Sequence, residues 1–429
     1  MIVSQLCRCT QPLRTAHTRL LVPTRSGING NLITRQLVTP ARYGNSRIGY
    51  KGLRISEIIK SSGIIARFCS SAPKPKTPKV VGYWLLGCSG MVFTAVVLGG
   101  VTRLTESGLS MVTWKLLGEK MPRTEEEWQR EFQKYQQYPE FKYKNQSITL
   151  SEFKWIWFME FAHRTWGRAI GAVVLLPSAF FWLRGYLDRG MKVRVGVYCA
   201  LVAAQGLMGW YMVKSGLEDR FQGPSDVPRV SQYRLAAHLG LAFILYSGLL
   251  AGALRVLRPF PPMSVLQKGV KELKKMTILA HSVKALAFFT ALSGAFVAGL
   301  DAGLVYNSFP KMGDHWVPDD ILAMSPTLRN LTENPTTVQF DHRVLGTATL
   351  TAASLVWLHA RRAPLSAPAA RVAAAVGAMA WLQVTLGVLT LLHFVPTPLA
   401  ASHQAGSLTL LTLAIWLTHE IKILKFIPK

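Results

Sequence analysis

Long uncharged apolar stretches alternate along the chain with shorter polar connections. About 20 residues in a helix with a rise of 1.5 Å per residue cross a hydrocarbon core of about 30 Å. Eight stretches meet this length, and charges in the first turn interrupt only the second and the sixth. They cover residues 82–101, 155–183, 195–213, 235–254, 277–300, 340–360, 372–393 and 399–420. The pattern predicts an all-α integral membrane protein with eight transmembrane helices.

Basic residues are concentrated in every second connection. The connections at 184–194, 255–275 and 361–371 are basic, whereas the long connection at 301–338 is acidic. Basic connections stay on the side from which a membrane protein is inserted. Both termini and the connections after the second, fourth and sixth helices are therefore predicted to share one side, which is the matrix side in a mitochondrion.

The formal net charge of +27 is typical of nucleic-acid-binding proteins, but its distribution favours another interpretation. Residues 1–79 contain 14 Lys or Arg and a single acid, Glu57, without a sustained apolar run. Such a composition is typical of a mitochondrial or plastid transit peptide, of which we favour the mitochondrial one, and a disordered basic tail is the alternative. We therefore predict a multi-pass protein of the mitochondrial inner membrane with no nucleic-acid partner.

The two halves of the apolar region resemble each other. Residues 160–164 (EFAHR) match 339–343 (QFDHR), and residues 236–240 (AAHLG) match 401–406 (ASHQAG). An even number of spans per copy gives a parallel repeat, unlike the inverted repeats of many transporters. The sequence thus predicts two pseudo-symmetric four-helix bundles, at 80–258 and 277–429, joined by a matrix linker at 259–276.

The repeat distinguishes four of the ten histidines, each expected in the first turns of an even-numbered helix near the intermembrane-space face. An ionisable residue inside a membrane span is costly and indicates function. The residue four positions later, on the same helix face, is small in every case and leaves room for a flat ligand. The histidines are His163, His238, His342 and His403, and the small residues are Gly167, Ala242, Gly346 and Ser407.

Three kinds of site fit histidines in membrane helices. They can hydrogen-bond between helices as structural contacts, or they can bind zinc, which requires a third ligand that the sequence does not offer. Facing histidines in a helical bundle also suit bis-imidazole iron. The symmetry of all four histidines favours two haems, one held by each pair.

Arginines next to the histidines are candidates for binding haem propionates. Arg164 and Arg343 directly follow two of the histidines, and Arg103 follows the first span. A guanidinium at the membrane interface binds a carboxylate bidentately. The alternative is that each side chain extends to the lipid headgroups.

Glu160 makes the two copies unequal. It lies three residues before His163, where the second copy has Gln339. Burial would raise its pKa and fit it for proton transfer, whereas an acid at a helix N-terminus would only complement the helix dipole. A carboxylate in one copy alone predicts different tasks for the two sites.

Two segments together resemble the haem A synthase family: residues 99–110 (GGVTRLTESGLS) and residues 160–168 (EFAHRTWGR). The resemblance extends over about residues 80–420. It implies an inner-membrane oxidoreductase that converts haem O to haem A for cytochrome c oxidase. The implied reaction oxidises one methyl group to a formyl group through successive hydroxylations.

The resemblance also implies roles for the candidate residues. His163 and His238 would hold haem O as the substrate, His342 and His403 would hold a resident haem b, and Glu160 would act in catalysis. The implied partners are a ferredoxin as electron donor, haem O synthase, cytochrome c oxidase assembly factors and lipid, and a homo-oligomer is compatible with the family. Bacterial members often have a cysteine pair in an outer connection, which this sequence lacks.

Two other functions fit the same histidines. A di-haem b-type electron-transfer cytochrome, such as a quinol oxidoreductase, would hold two permanent haems of one type. A haem transporter would favour helices broken near the middle of the membrane. Extracted haem distinguishes the enzyme, because only the enzyme changes a haem side chain.

Overall fold

The computed structural model describes residues 77–218, 229–260 and 271–424, without the side chains of 271 and 272. Most of the predicted transit peptide, residues 1–76, lies outside this range. So do residues 261–270 of the predicted linker and the basic tail at 425–429. The described part of the linker is short, because a helix already begins at Lys271.

Eight long helices form the described part of the chain. They are α1 (Lys79–Leu104), α2 (Leu150–Leu183), α3 (Arg189–Gly216), α4 (Gln232–Leu257), α5 (Lys271–Gly299), α6 (Pro335–Ala360), α7 (Ala367–Leu392) and α8 (Thr397–Leu424). The prediction of an all-α membrane protein is confirmed. By length and composition seven of these helices can cross a membrane. The exception is α6, whose outer half contains the charged segment at 341–343.

Helix α2 begins earlier than the sequence pattern predicts. The Thr149 hydroxyl accepts a hydrogen bond from the Glu152 amide, and the Glu152 carboxylate accepts one from the Thr149 amide, which forms a capping box. The prediction that His163 lies in the first turns of its helix is therefore wrong, because 13 residues of α2 precede it. Capping overrides the apolar pattern at this end of the helix.

The helices form two bundles. Helices α1 to α4 pack around one core and α5 to α8 around another, and in each bundle the first helix also contacts the last. The bundles meet through α1 and α4 on one side and α5 and α8 on the other. Exchanging α1 with α5 and α4 with α8 reproduces these contacts, which is the pattern that a parallel repeat produces.

Polar contacts connect the two bundles at several depths. The Gln404 amide donates to the Val96 carbonyl at 3.0 Å, and Tyr246 and Thr412 share a hydroxyl hydrogen bond of 2.6 Å. At the end of α4, Arg258 forms an ion pair of 2.8 Å with Glu420. Buried hydrogen bonds of this kind fix the register of the helices, which apolar contact alone leaves adjustable.

The connection between α1 and α2 folds into a small aromatic layer on the extended start of α2. It contains the helices Glu125–Tyr135 and Pro139–Tyr143. Trp128 packs edge-on against Trp157 with centroids 5.1 Å apart, and Tyr135 lies 5.2 Å from Phe153. Three consecutive acids, residues 125–127, form the first turn of the first of these helices.

Candidate functional site

Each of the four predicted histidines packs against a glycine on the preceding helix. A Cβ added to that glycine would lie 2.8 to 3.6 Å from the imidazole Cε1, so a larger residue would displace the ring in the tightest cases. The pairs are Gly99 with His163, Gly209 with His238, Gly294 with His342 and Gly387 with His403. Since Gly99 and Gly294 both lie five residues before the end of their helix, His163 and His342 keep an equivalent depth.

The histidines of the second bundle face each other. The ring centroids of His342 and His403 are 6.3 Å apart, and the rings are nearly perpendicular. A metal held between two ring nitrogens at about 2 Å, the distance known for zinc, separates two centroids by roughly 6 Å. The rings are oriented by the Ser293 hydroxyl, 2.7 Å from His342 Nδ1, and by the main-chain carbonyl of Gln383, which lies 3.1 Å from His403 Nδ1 and can accept its proton. Such second partners fix the tautomer and leave the other nitrogen for a metal.

In the first bundle His163 packs against Gly99 of α1 and His238 against Gly209 of α3. The Nδ1 atoms of both rings are buried without a hydrogen-bond partner, and so is Oε1 of Gln205. Next to His163 the space is open, because a Cβ on Gly167 or Gly171 would meet no atom within 4 Å. Buried polar atoms without partners beside open space indicate a site that a ligand completes.

Comparison with known proteins identifies the family. The profile of the COX15-CtaA family, described as cytochrome oxidase assembly protein, matches residues 82–415. The chain belongs to this family. It is 56% identical to Heme A synthase COX15 of Homo sapiens over 369 residues, which is 86% of this chain and 88% of the relative.

Less similar relatives in the family also match most of the chain. Heme A synthase COX15 of Saccharomyces cerevisiae is 42% identical over 428 residues, with 92% of this chain and 87% of the relative covered. Heme A synthase of Nitrosospira multiformis is 43% identical over 345 residues, with 80% of this chain and 94% of the relative covered. The match to the family profile, residues 82–415, extends from the first helix into the last and covers the positions of all four histidines.

The residues present fit a bis-histidine haem better than a zinc ion. Zinc takes three or four protein ligands, and in the described ranges no group of three His, Cys, Asp or Glu is placed to hold a metal. A haem iron needs two axial ligands only, because the porphyrin supplies the other four. The facing rings, the glycines beneath them and the open space beside Gly167 and Gly346 all suit a flat ligand.

Glu160 lies in a buried ion pair. Arg164 approaches its Oε1 to 2.5 Å, while the Ser110 hydroxyl and the Met111 amide each donate to Oε2 at 2.7 Å. These three donors fix the carboxyl group of Glu160 in one orientation on α2. The interpretation of Glu160 as a helix N-terminal acid is wrong, because ten residues of α2 precede it.

Arg164 uses its other donors on the loop that follows α1. It donates to the carbonyls of Thr113 at 2.7 Å and Met111 at 2.9 Å. Glu160 and Arg164 together form what we call the first loop anchor. A propionate at Arg164 would have to share these donors, and its role in binding haem stays a prediction.

The second bundle repeats this arrangement with a neutral partner. Arg343 donates to Gln339 Oε1 at 3.0 Å and to the Tyr306 carbonyl at 3.1 Å, while the Gln339 amide donates to the Ala302 carbonyl at 2.8 Å. We call Gln339 and Arg343 the second loop anchor. At this position the first bundle therefore has an acidic residue, Glu160, whereas the second bundle has the neutral Gln339.

Arg103 lies at the outer ends of the two bundles. It forms an ion pair of 2.8 Å with Asp301, which directly follows α5, and Arg229 approaches the same carboxylate to 3.2 Å. Arg103 thereby connects the end of α1 to the second bundle. A contact between Arg103 and a haem stays a prediction.

The sequence analysis missed several residues of the site. Gly99 and Gly294 were not recognised, although they lie at matching distances from the ends of α1 and α5. Ser110 and Met111 were also missed as partners of Glu160, since no local pattern shows which loop folds back onto α2. The internal repeat was the signal that could have revealed the glycines.

Proposed function

We propose that this protein is a haem A synthase, which oxidises a methyl group of haem O to a formyl group by successive hydroxylations. The high identity to proteins named Heme A synthase COX15 over most of the chain supports this function. The observation that carries it is the duplicated histidine site, of which only one copy has a buried carboxylate. An electron-transfer cytochrome gives no reason for that difference.

We assign haem O, the substrate, to His163 and His238, and haem b to His342 and His403. Two features support this division. Glu160 lies beside the first pair, whereas Gln339 lies beside the second. When bound, haem b supplies one-electron redox chemistry, and Ser293 and Gln383 hold its two histidines in fixed orientations.

Glu160 is the residue proposed to handle protons. It is the carboxyl group beside the first histidine pair, so we assign to it the proton released at the substrate. Arg164 balances the charge, which is otherwise costly to bury. Gln339 at the equivalent position keeps the same loop contacts without this capacity.

The location and partners follow the family and the charge pattern. We propose that the protein lies in the mitochondrial inner membrane with both termini in the matrix, because the connections after α2, α4 and α6 are basic. A ferredoxin in the matrix is the proposed electron donor. All four histidines lie toward the opposite face, at the end that bears the long connections.

Chromatography of haems extracted from cells that lack their own enzyme and express this chain tests the function. We expect haem A with the wild type. Glu160→Ala and Glu160→Gln should retain bound haem but yield little haem A, and His342→Ala should lose the resident haem. The Gln variant separates charge from shape, since Gln339 shows that an amide can hold the Arg and the loop.

The outcomes separate the alternatives. Unmodified haem of a single type in the wild type would favour the electron-transfer cytochrome. Full haem A production by Glu160→Gln would show that Glu160 does not transfer protons and that it only holds the loop.

A further inference from the structure

The loop at 110–119 runs into the membrane region beside the first histidine pair. The first loop anchor holds its start. One turn deeper on α2, Arg168 donates to the Lys115 carbonyl at 2.8 Å and forms an ion pair of 3.0 Å with Glu119. Leu116 and Leu117 are 85% and 97% exposed on this loop, which is the exposure expected of side chains that face lipid.

This deep attachment belongs to the first copy. At the position equivalent to Arg168 the second copy has Thr347, whose hydroxyl donates to the Arg343 carbonyl within its own helix. In the second bundle, Arg343 holds the connection between α5 and α6 by donating to the carbonyls of Tyr306, Pro310 and Lys311. Arg168 therefore holds the loop at 110–119 along α2, one turn deeper than Arg164, and the second copy has no arginine at the equivalent position.

Trp114 of this loop lies against the same glycine of α3 as His238 does. A Cβ on Gly209 would lie 3.6 Å from His238 Cε1 and 3.8 Å from Trp114 Cη2, so the imidazole and the indole border the same point on α3. The indole ring is held from α2 by the guanidinium groups of Arg164 and Arg168, at 4.8 and 5.8 Å from its centroid. Cation–π contacts of this kind restrain the orientation of an aromatic side chain.

A cavity of about 320 Å³ adjoins Trp114 on its outer side. Thr113 and Trp114 line it from the loop, and Val213 and Lys214 line it from α3. Val213 lies one helical turn, about 5.4 Å, beyond Gly209. The indole therefore stands between α2 and α3, with the histidines on its inner side and this cavity on its outer side.

We infer that Trp114 contacts the tetrapyrrole bound between His163 and His238 and positions it for reaction. This inference rests on the proposed function. The indole forms a wall of the first site beside His238, at the point on α3 where Gly209 has no side chain. Arg164 connects this wall to Glu160, so the residue that handles protons and the residue that positions the substrate share one support.

The test compares Trp114→Ala and Trp114→Phe with Trp316→Ala. The last variant is a control at an exposed tryptophan in the connection between α5 and α6. We expect Trp114→Ala to lower the haem A yield by about tenfold or more through lost positioning. The electron paramagnetic resonance signal of the first-site haem should shift, while that of the second site stays unchanged. Trp114→Phe, which keeps a ring, should restore most of the yield, and Trp316→Ala should match the wild type.

Haem A at the wild-type level from Trp114→Ala, with an unchanged first-site signal, would overturn the inference. If Trp114→Ala loses both haems, Trp114→Phe and Trp114→Leu decide, since equal first-site signals in these two would show that the ring does not matter. A wild type that makes no haem A refutes the proposed function instead, and the first-site signal still tests the contact.

Discussion

The positions of the four imidazole rings depend on glycines, which have no side chain, opposite them on the preceding helix. In three of the four cases the ring carbon lies within 3.3 Å of the place where a Cβ would stand on the neighbouring helix. Such a distance is shorter than ordinary contact, so a methyl group there would push the ring out of line. Glycine is conserved in the internal repeat for packing reasons, not for backbone flexibility, since all four lie within regular helices.

We expect Gly99→Ala to displace the His163 ring and to cost the protein one of its two haems. The added Cβ would lie 2.9 Å from His163 Cε1, and overpacking of this kind costs about 1–3 kcal/mol. The haem-to-protein ratio of the purified chain measures the effect. Gly90→Ala, on the same helix with no atom within 4 Å, is the control; equal haem loss in both variants would contradict the argument.

At the scale of elements, the connection between α1 and α2 carries a buried carboxyl group. Glu140 is only 5% exposed, and the Tyr135 hydroxyl lies 3.1 Å from its Oε2. Burial raises the pKa of Glu140 from 4.5 to about 8, although the nearby Lys144 acts in the opposite direction. The folded connection therefore binds a proton that the unfolded chain releases near pH 4.5.

This raised pKa predicts a pH-dependent stability of the aromatic layer. Because the folded state holds the proton more tightly, the contribution of Glu140 is most favourable below pH 4.5 and is lost as the pH rises to about 8. Glu140→Gln keeps an acceptor for Tyr135 without the charge. We expect this variant to resist proteolysis between α1 and α2 better than the wild type at pH 8, and equally at pH 4.5. Equal resistance at both pH values would contradict the expected burial.

The whole molecule is asymmetric along the membrane normal. The connections after α2 and α6 are short, at 184–188 and 361–366, whereas those after α1 and α5 are long, at 105–149 and 300–334. The histidines and both loop anchors lie at the end with the long connections. The candidate site residues and the long folded connections therefore lie at one face, and the opposite face has mainly short basic turns.

The orientation can be tested by proteolysis of mitoplasts, which expose the outer face of the inner membrane. We expect trypsin to cut at the exposed Lys311, in the connection after α5, and to leave a C-terminal tag intact. Detergent should make the tag sensitive as the positive control. Loss of the tag in sealed mitoplasts, with the connection after α5 protected, would reverse the proposed topology.

The sequence by itself determined the spans, the parallel repeat and the four histidines. These are properties of local composition and spacing, since a membrane requires long apolar helices and a duplication preserves motif order. The early start of α2 escaped prediction because a capping box extended it beyond the apolar pattern. Only the tertiary structure decided that Glu160 binds Arg164 and the loop at 110–113, that glycines lie opposite the histidines, and that Trp114 stands beside His238. Apart from the Glu160–Arg164 pair, which lies within one turn of α2, these contacts join residues far apart in the chain, and only the packing of helices and loop selects which of them meet.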